Sequence, residues 1–208
     1  METGNKHHAP EVRQRILALA DELFPEYGVK SVSMDEIARR LSMSKRTLYE
    51  YFSDKEELLL ACIDRHGALM KAWADEIGER SETVLHIILE IYRELAPRIR
   101  RISPKFHEDL RKYPKAMAKL ADNRKEQTER TLEFFRTGVQ QGIFLPGLNY
   151  DILSRTLIRM LDEPVPATLT GKYGMAEIYS TLTLTLVRGT CTDKGLRIFN
   201  DYLSEYKA

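Results

Sequence analysis

The sequence is short of several things that usually announce a protein's chemistry. It has two cysteines in 208 residues, Cys62 and Cys191, and neither belongs to a CxxC pair or a Cys/His cluster. That pattern excludes a disulfide framework or a thiolate metal site, so both are read as reduced thiols. His7 and His8 stand side by side in a polar arm with no further ligand at a useful spacing, so neither a metal nor another cofactor is expected. No apolar run approaches the roughly 18 residues of a membrane helix. The opening METGNKHHAPEVR lacks the apolar segment of a secretory signal, which makes the cytoplasm the default compartment. There is no Gly-rich phosphate loop, no HExxH and no GxSxG, so the chain is not expected to be an enzyme. Internal repeats and low-complexity tracts are missing as well.

Excess positive charge is also lacking. The formal net charge is +1, and the first 60 residues carry nine Lys/Arg against eleven Asp/Glu. Nucleic-acid binding is not thereby excluded, because only the face that meets phosphates has to be basic. Residues 39–55 do concentrate charge: Arg39, Arg40, Lys45, Arg46 and Lys55 stand against Glu50 and Asp54.

What the chain does have is helical periodicity from end to end. Val12, Ile16, Leu17, Leu19, Ala20, Leu23 and Phe24 fall on one face of a first helix that Gly28 ends, with Pro25 kinking its last turn. Ser33 with Glu36 reads as a capping box opening a second helix, Met34 to about Leu41. Ser42-Met43-Ser44 is a tight turn, Ser44 caps a third helix from Lys45 to Phe52, and Ser53 with Glu56 opens a fourth that reaches about Glu79. Further helices are expected at about 82–100, 103–112, 115–142, 149–163, 174–189 and 195–206, separated by Pro97, Pro104, Pro114 and the Gly142/Pro146/Gly147 group. Thr181 to Leu186 alternates with period two, as a strand would, but a lone strand has no partner here and the segment is read as helix. The expected fold class is all-α, about nine to ten helices, with an N-terminal three-helix helix-turn-helix domain followed by a C-terminal helical bundle.

Two short helices joined by about three residues is helix-turn-helix spacing. Ile37, Ala38, Leu41, Met43, Leu48 and Phe52 are the apolar positions of that pair, and the small Ala38 lets the helices approach. Lys45, Arg46, Thr47, Tyr49 and Tyr51 then point outward from the third helix, where a recognition helix meets base edges.

These residues carry a resemblance. Ile16-Leu17, Phe24, Gly28, Ser33, Ile37-Ala38, Ser44-Lys45, Leu48-Tyr49, Tyr51-Phe52 and Lys55-Glu56-Glu57-Leu58 resemble the motif of the TetR family of bacterial transcriptional regulators over about 45 residues. The resemblance implies DNA contact by Lys45, Thr47, Tyr49 and Tyr51, with Ser33, Ser44 and Arg46 beside them. It also implies a phosphate contact by Lys55 at the start of the fourth helix, where the helix terminus adds its own attraction. Arg46 departs from the glycine or proline common in the family; it pairs either with guanine O6 and N7 or with a phosphate. Arg39 and Arg40 read as a solvated face, and Arg98, Arg100, Arg101 and Lys105 as a solvent-facing loop.

The family further implies a division into residues 1–56, the arm and DNA-binding domain, and 57–208, the effector-binding and dimerisation domain. Its implied partners are double-stranded DNA with a near-palindromic operator, a second copy of the chain, and a small-molecule effector that releases a repressor; no membrane is implied. Helices at about 149–163 and 174–189 would pair across a two-fold axis through Ile152, Leu153, Leu157, Leu161, Ile178, Leu182, Leu186 and Val187. Trp73, Tyr92, Phe106, His107, Tyr113, Phe134, Phe135 and Met160 read first as core aromatics and neighbours and second as an effector cavity. The rival reading keeps the helix-turn-helix but has a protein partner, or DNA organisation, in place of a small ligand.

Overall fold

The computed structural model describes residues 9–99, 101–162 and 167–206. Among them are eleven helices: α1 (Ala9–Tyr27), α2 (Met34–Arg40), α3 (Lys45–Tyr51), α4 (Lys55–Arg80), α5 (Val84–Ile99), α6 (Pro104–Leu110), α7 (Pro114–Gln140), α8 (Tyr150–Asp162), α9 (Ala167–Thr170), α10 (Met175–Gly189) and α11 (Asp193–Tyr206). The described residues are all-α, and among them only the four-residue α9 goes beyond the expected set. Among the described residues no helix is long and apolar enough to cross a membrane. His7, His8 and Arg100 lie outside the described residues.

Two compact units divide the chain. The first takes in everything as far as Ala68 together with Arg101–Ala121; the second holds Leu69–Arg100 and Asp122–Ala208.

In the first unit, α1 buries Ile16, Leu17, Ala20, Leu23 and Phe24 against Ile37 and Ala38 of α2, Leu48 of α3, Phe52, and Leu58 and Leu59 of α4. Leu41 and Met43 are partly buried against the same cluster. Gly28 follows α1 at φ +85°, a conformation open to glycine at no steric cost. The turn after α2 has no glycine: Ser42 adopts φ 54°. It closes as a Schellman motif, with the Met43 N–H donating to the Ala38 carbonyl at 3.0 Å and the Ser42 N–H to that of Arg39 at 3.1 Å.

The caps correct the sequence reading in detail. Ser33 Oγ accepts from the Glu36 N–H at 3.1 Å, but the Glu36 carboxylate turns to Arg40 Nη2 at 2.7 Å instead of reaching back. The box opening α4 is displaced by one residue. Asp54 Oδ1, not Ser53 Oγ, is the cap, accepting from the Glu57 N–H at 2.8 Å. Glu57, not Glu56, reaches back to the Ser53 N–H at 2.7 Å.

The second unit packs Phe135 of α7 against Phe144 and Tyr150, with ring centroids 5.2 and 4.8 Å apart. The α7 terminus turns at Gly142, φ +67°, and the Ile143 N–H reaches back to the Gly138 carbonyl at 2.8 Å. Residues 181–186 lie within α10, as expected: Ala176, Thr183 and Val187 are buried along one helical face, while Leu182 is exposed.

Candidate nucleic-acid interface

α2 and α3 are placed by local signals. Ser44 caps α3 with its Oγ, accepting from the Thr47 N–H at 3.0 Å, and lies 2.8 Å from Thr47 Oγ1. Leu48, fully buried, anchors the helix from beneath. With that face fixed, a helix of 3.6 residues per turn turns residues 45, 46 and 49 outward. Lys45 and Arg46 are exposed and Tyr49 is 47% exposed. Thr47 is half-buried, and Tyr51 is half-buried against the core, so the five expected side chains are not equally presented.

Each cation on this surface has a distinct setting. Lys45 of α3 is paired with Asp35 of α2, and Arg40 with Glu36. Arg46 Nε donates to Glu50 Oε1 at 3.2 Å. Lys55 is the unexpected case. Its Nζ donates to the carbonyls of Val29 at 2.8 Å, Val32 at 2.9 Å and Lys30 at 3.4 Å. Burial lowers its pKa, although Asp109 acts in the opposite sense. An ammonium has three protons, and all three have acceptors in the loop between α1 and α2. These bonds tether that loop through Lys55, the same side chain for which the resemblance implies a phosphate contact.

The same loop is held from its other side by a residue the sequence reading missed. Asp109 of α6, 6% exposed, accepts from the Lys30 N–H at 2.7 Å and from Lys112 Nζ at 2.9 Å. Pro25 contributes too: its carbonyl accepts from the Ser103 N–H at 2.8 Å. Burial alone would raise the Asp109 pKa, but the Lys30 N–H and Lys112 bonds outweigh it and hold the carboxyl below the usual carboxylate range. A carboxylate with a lowered folded pKa stabilises fully above its unfolded pKa of about 3.9 and loses that contribution as pH falls through the lowered value. Asp109→Ala is therefore expected to cost about 1–3 kcal/mol at pH 7. The gap to the parent protein should narrow below about pH 4. Urea unfolding at both pH values measures it, and a gap that widens in acid would refute the assignment.

The expected effector set is divided by the fold. Phe106, His107 and Tyr113 belong to the first unit, where Phe106 and Tyr113 pack on its core. Burial, with Arg111 nearby, lowers the His107 pKa. Trp73, Tyr92, Phe134, Phe135 and Met160 belong to the second. There Phe135 is 1% exposed within the ring cluster and Tyr92 stacks on Tyr179 at 6.0 Å. Of the expected pairing surface on α8 and α10, Ile152 and Leu182 are exposed, at 60% and 44%. Leu153, Leu157 and Leu186 are half-buried, whereas Ile178 and Val187 are buried. The Leu161 side chain lies outside what the structure describes.

Residues 16–62, which include the whole α2–turn–α3 arrangement, match the model for bacterial regulatory proteins of the tetR family. Over that segment the chain is similar to the tetR family. The HTH-type transcriptional activator FasR of Mycolicibacterium smegmatis is 44% identical over 63 residues, covering 30% of this chain and 29% of that protein. The chain so matches less than a third of the length of this curated relative. Solved structures extend the likeness in shape. A transcriptional regulator of the TetR family from Agrobacterium tumefaciens superposes with TM-score 0.70 at 13% identity, covering 88% of this chain and all of that one. A gamma-butyrolactone receptor superposes with TM-score 0.65 at 18% identity, covering 92% and 94%. At such identities these structures show the fold alone, an all-α fold shared along nearly the whole chain.

Proposed function

We propose that this protein is a sequence-specific DNA-binding transcriptional regulator, a cytoplasmic repressor released by a small-molecule effector, and that it acts by binding without catalysing a reaction. The observation that carries the reading is the exposed face of α3. Lys45, Arg46 and Tyr49 stand outward from a helix whose other face is locked into the core by Leu48. Ser33, Ser44, Thr47, Tyr51 and Lys55 place or support that face. Residues 1–56 supply the DNA contacts, and 57–208 bind the effector and dimerise.

The dimer reading is supported by the open apolar side chains Ile152 on α8 and Leu182 on α10. A two-fold dimer presents two recognition helices to successive major grooves, which calls for a near-palindromic operator. For the effector, support comes from a structural neighbour that is a gamma-butyrolactone receptor. Within the second unit, Trp73, Tyr92, Phe134 and Met160 are the aromatic and sulfur-bearing candidates to meet a ligand. An effector that binds one arrangement of the dimer better than the other shifts the population away from the DNA-competent one.

The test is a gel shift on fragments of the source genome at two salt concentrations. Discrete fragments should shift near 50 mM salt, and their affinity should fall steeply by about 200 mM, in keeping with several phosphate contacts. No shift at low salt would end the proposal. A chain that shifts DNA but gains no thermal stability from any member of a metabolite library would favour the rival, a regulator answering to a protein partner.

A further inference from the structure

What makes one DNA sequence preferable to another is a separate question from whether α3 meets DNA, and the answer offered here rests on that reading. Most cations near α3 are spoken for. Arg40 is paired with Glu36 and Lys45 with Asp35, and the Lys55 ammonium is consumed by three carbonyls. Arg46 is different. Its side chain is 90% exposed, and among the described residues its hydrogen bond uses Nε, donated to Glu50 Oε1 one helical turn on. Both terminal nitrogens, Nη1 and Nη2, remain open.

We infer that Arg46 and Glu50 form one base-reading unit, in which Glu50 is a positioning residue that holds the guanidinium through Nε while the two Nη groups address O6 and N7 of a guanine. Guanine presents two acceptors side by side in the major groove, and recognising both takes two parallel donors at fixed spacing. A guanidinium has such a fork only at its terminal pair or along its Nε edge. Anchoring the Nε edge leaves the terminal pair and removes rotations that would otherwise be lost on binding.

Glu50 has a second effect. A carboxylate facing DNA repels phosphates, so it weakens binding to every sequence alike. An exposed pair one turn apart adds little to folding. A carboxylate in this place thus lowers general affinity while sharpening choice, which is how discrimination against wrong sequences is built. If Arg46 gripped only a phosphate, Glu50 would oppose it and contribute nothing.

The experiment is selection of random-sequence duplexes by the full chain, followed by affinities for every single-base variant of the selected duplex. The parent protein should require a guanine at one position of each half-site, with other bases bound on the order of 10–100-fold more weakly. Arg46→Lys keeps the charge but loses the fork; the guanine preference should collapse to within about 3-fold while unrelated duplexes are bound as before. Glu50→Ala should move two readouts in opposite directions: the guanine preference falls several-fold and affinity for unrelated duplexes rises. Both side chains are exposed, so the variants are expected to keep the parent's thermal unfolding profile. A guanine preference that survives Arg46→Lys, or a Glu50→Ala variant that loses affinity uniformly, overturns the inference. Enrichment of a sequence with no guanine dependent on Arg46 does the same while leaving the regulator reading intact. A parent protein that enriches no sequence at all sinks both.

Discussion

Lys55→Met is expected to destabilise the first unit by about 2–3 kcal/mol, from the loss of charge-assisted bonds to several carbonyls. It should also weaken binding to all DNA sequences alike. Methionine fills the space of the aliphatic stem but leaves the carbonyls of Val29, Lys30 and Val32 without their shared donor. That loop feeds directly into Ser33, the cap of α2, so loosening it blurs the placement of both α2 and α3. The salt dependence of binding separates tether from phosphate contact. Each phosphate neutralised adds about 0.9 to the slope of log affinity against log salt. A tether leaves the slope of the variant unchanged; a slope reduced by about one would restore the phosphate contact implied by resemblance. Chemical unfolding and titrations at three salt concentrations supply both numbers.

Gly138→Ala is the second large effect, and its sign runs against helix propensity. Gly138 lies inside α7, where alanine is favoured over glycine by about 1 kcal/mol. A Cβ added there would lie inside the contact radius of Phe144 Cδ2 and Cε2, and 3.0 Å from Val84 Cγ2. The Phe144 ring has little room to retreat, because Phe135 and Tyr150 pack on it at centroid distances of 5.2 and 6.4 Å. Overpacking of this kind costs about 1–3 kcal/mol and occasionally more. Contacts this close call for the upper end of that range, and set against the helix gain they leave a net loss of about 2 kcal/mol, or about 4–8 °C in the melting temperature of a chain this size. Gly189→Ala, with nothing within 4 Å of the added carbon, is the control and should melt at or slightly above the parent temperature. Equal behaviour of the two variants would refute the packing described for α7.

The ease with which each feature can be read from sequence follows the distance over which it is made. The α2–turn–α3 arrangement was legible because Ser33 and Ser44 act on N–H groups three residues away. The start of α4 was legible only to within a residue. Ser53 and Asp54 are both good caps, and the choice between them depends on how the chain leaves the buried Phe52. Asp109 was not legible at all: its partner Lys30 is 79 residues away, and nothing near Asp109 marks it as a loop clamp. The carbonyl partners of Lys55 were hidden for a related reason. Spacing places it at a helix start, but only the folded loop reveals that its protons are taken. The aromatic positions promised burial correctly for Phe135 and Tyr92, yet burial does not say in which unit, and so Phe106 and Tyr113 fell apart from the others.

The Lys30–Asp109 bond makes the first unit discontinuous along the chain, since residues up to Ala68 are completed by Arg101–Ala121. During synthesis the head emerges first from the ribosome but cannot finish closing until α6 has followed it. At roughly 5–20 residues per second that is a wait of several seconds, with part of the α1–α2 loop still unclamped. The same discontinuity bears on hybrid regulators. A head exchanged at the end of α3 leaves its clamp behind in the donor, and meets in the recipient an α6 shaped for another loop.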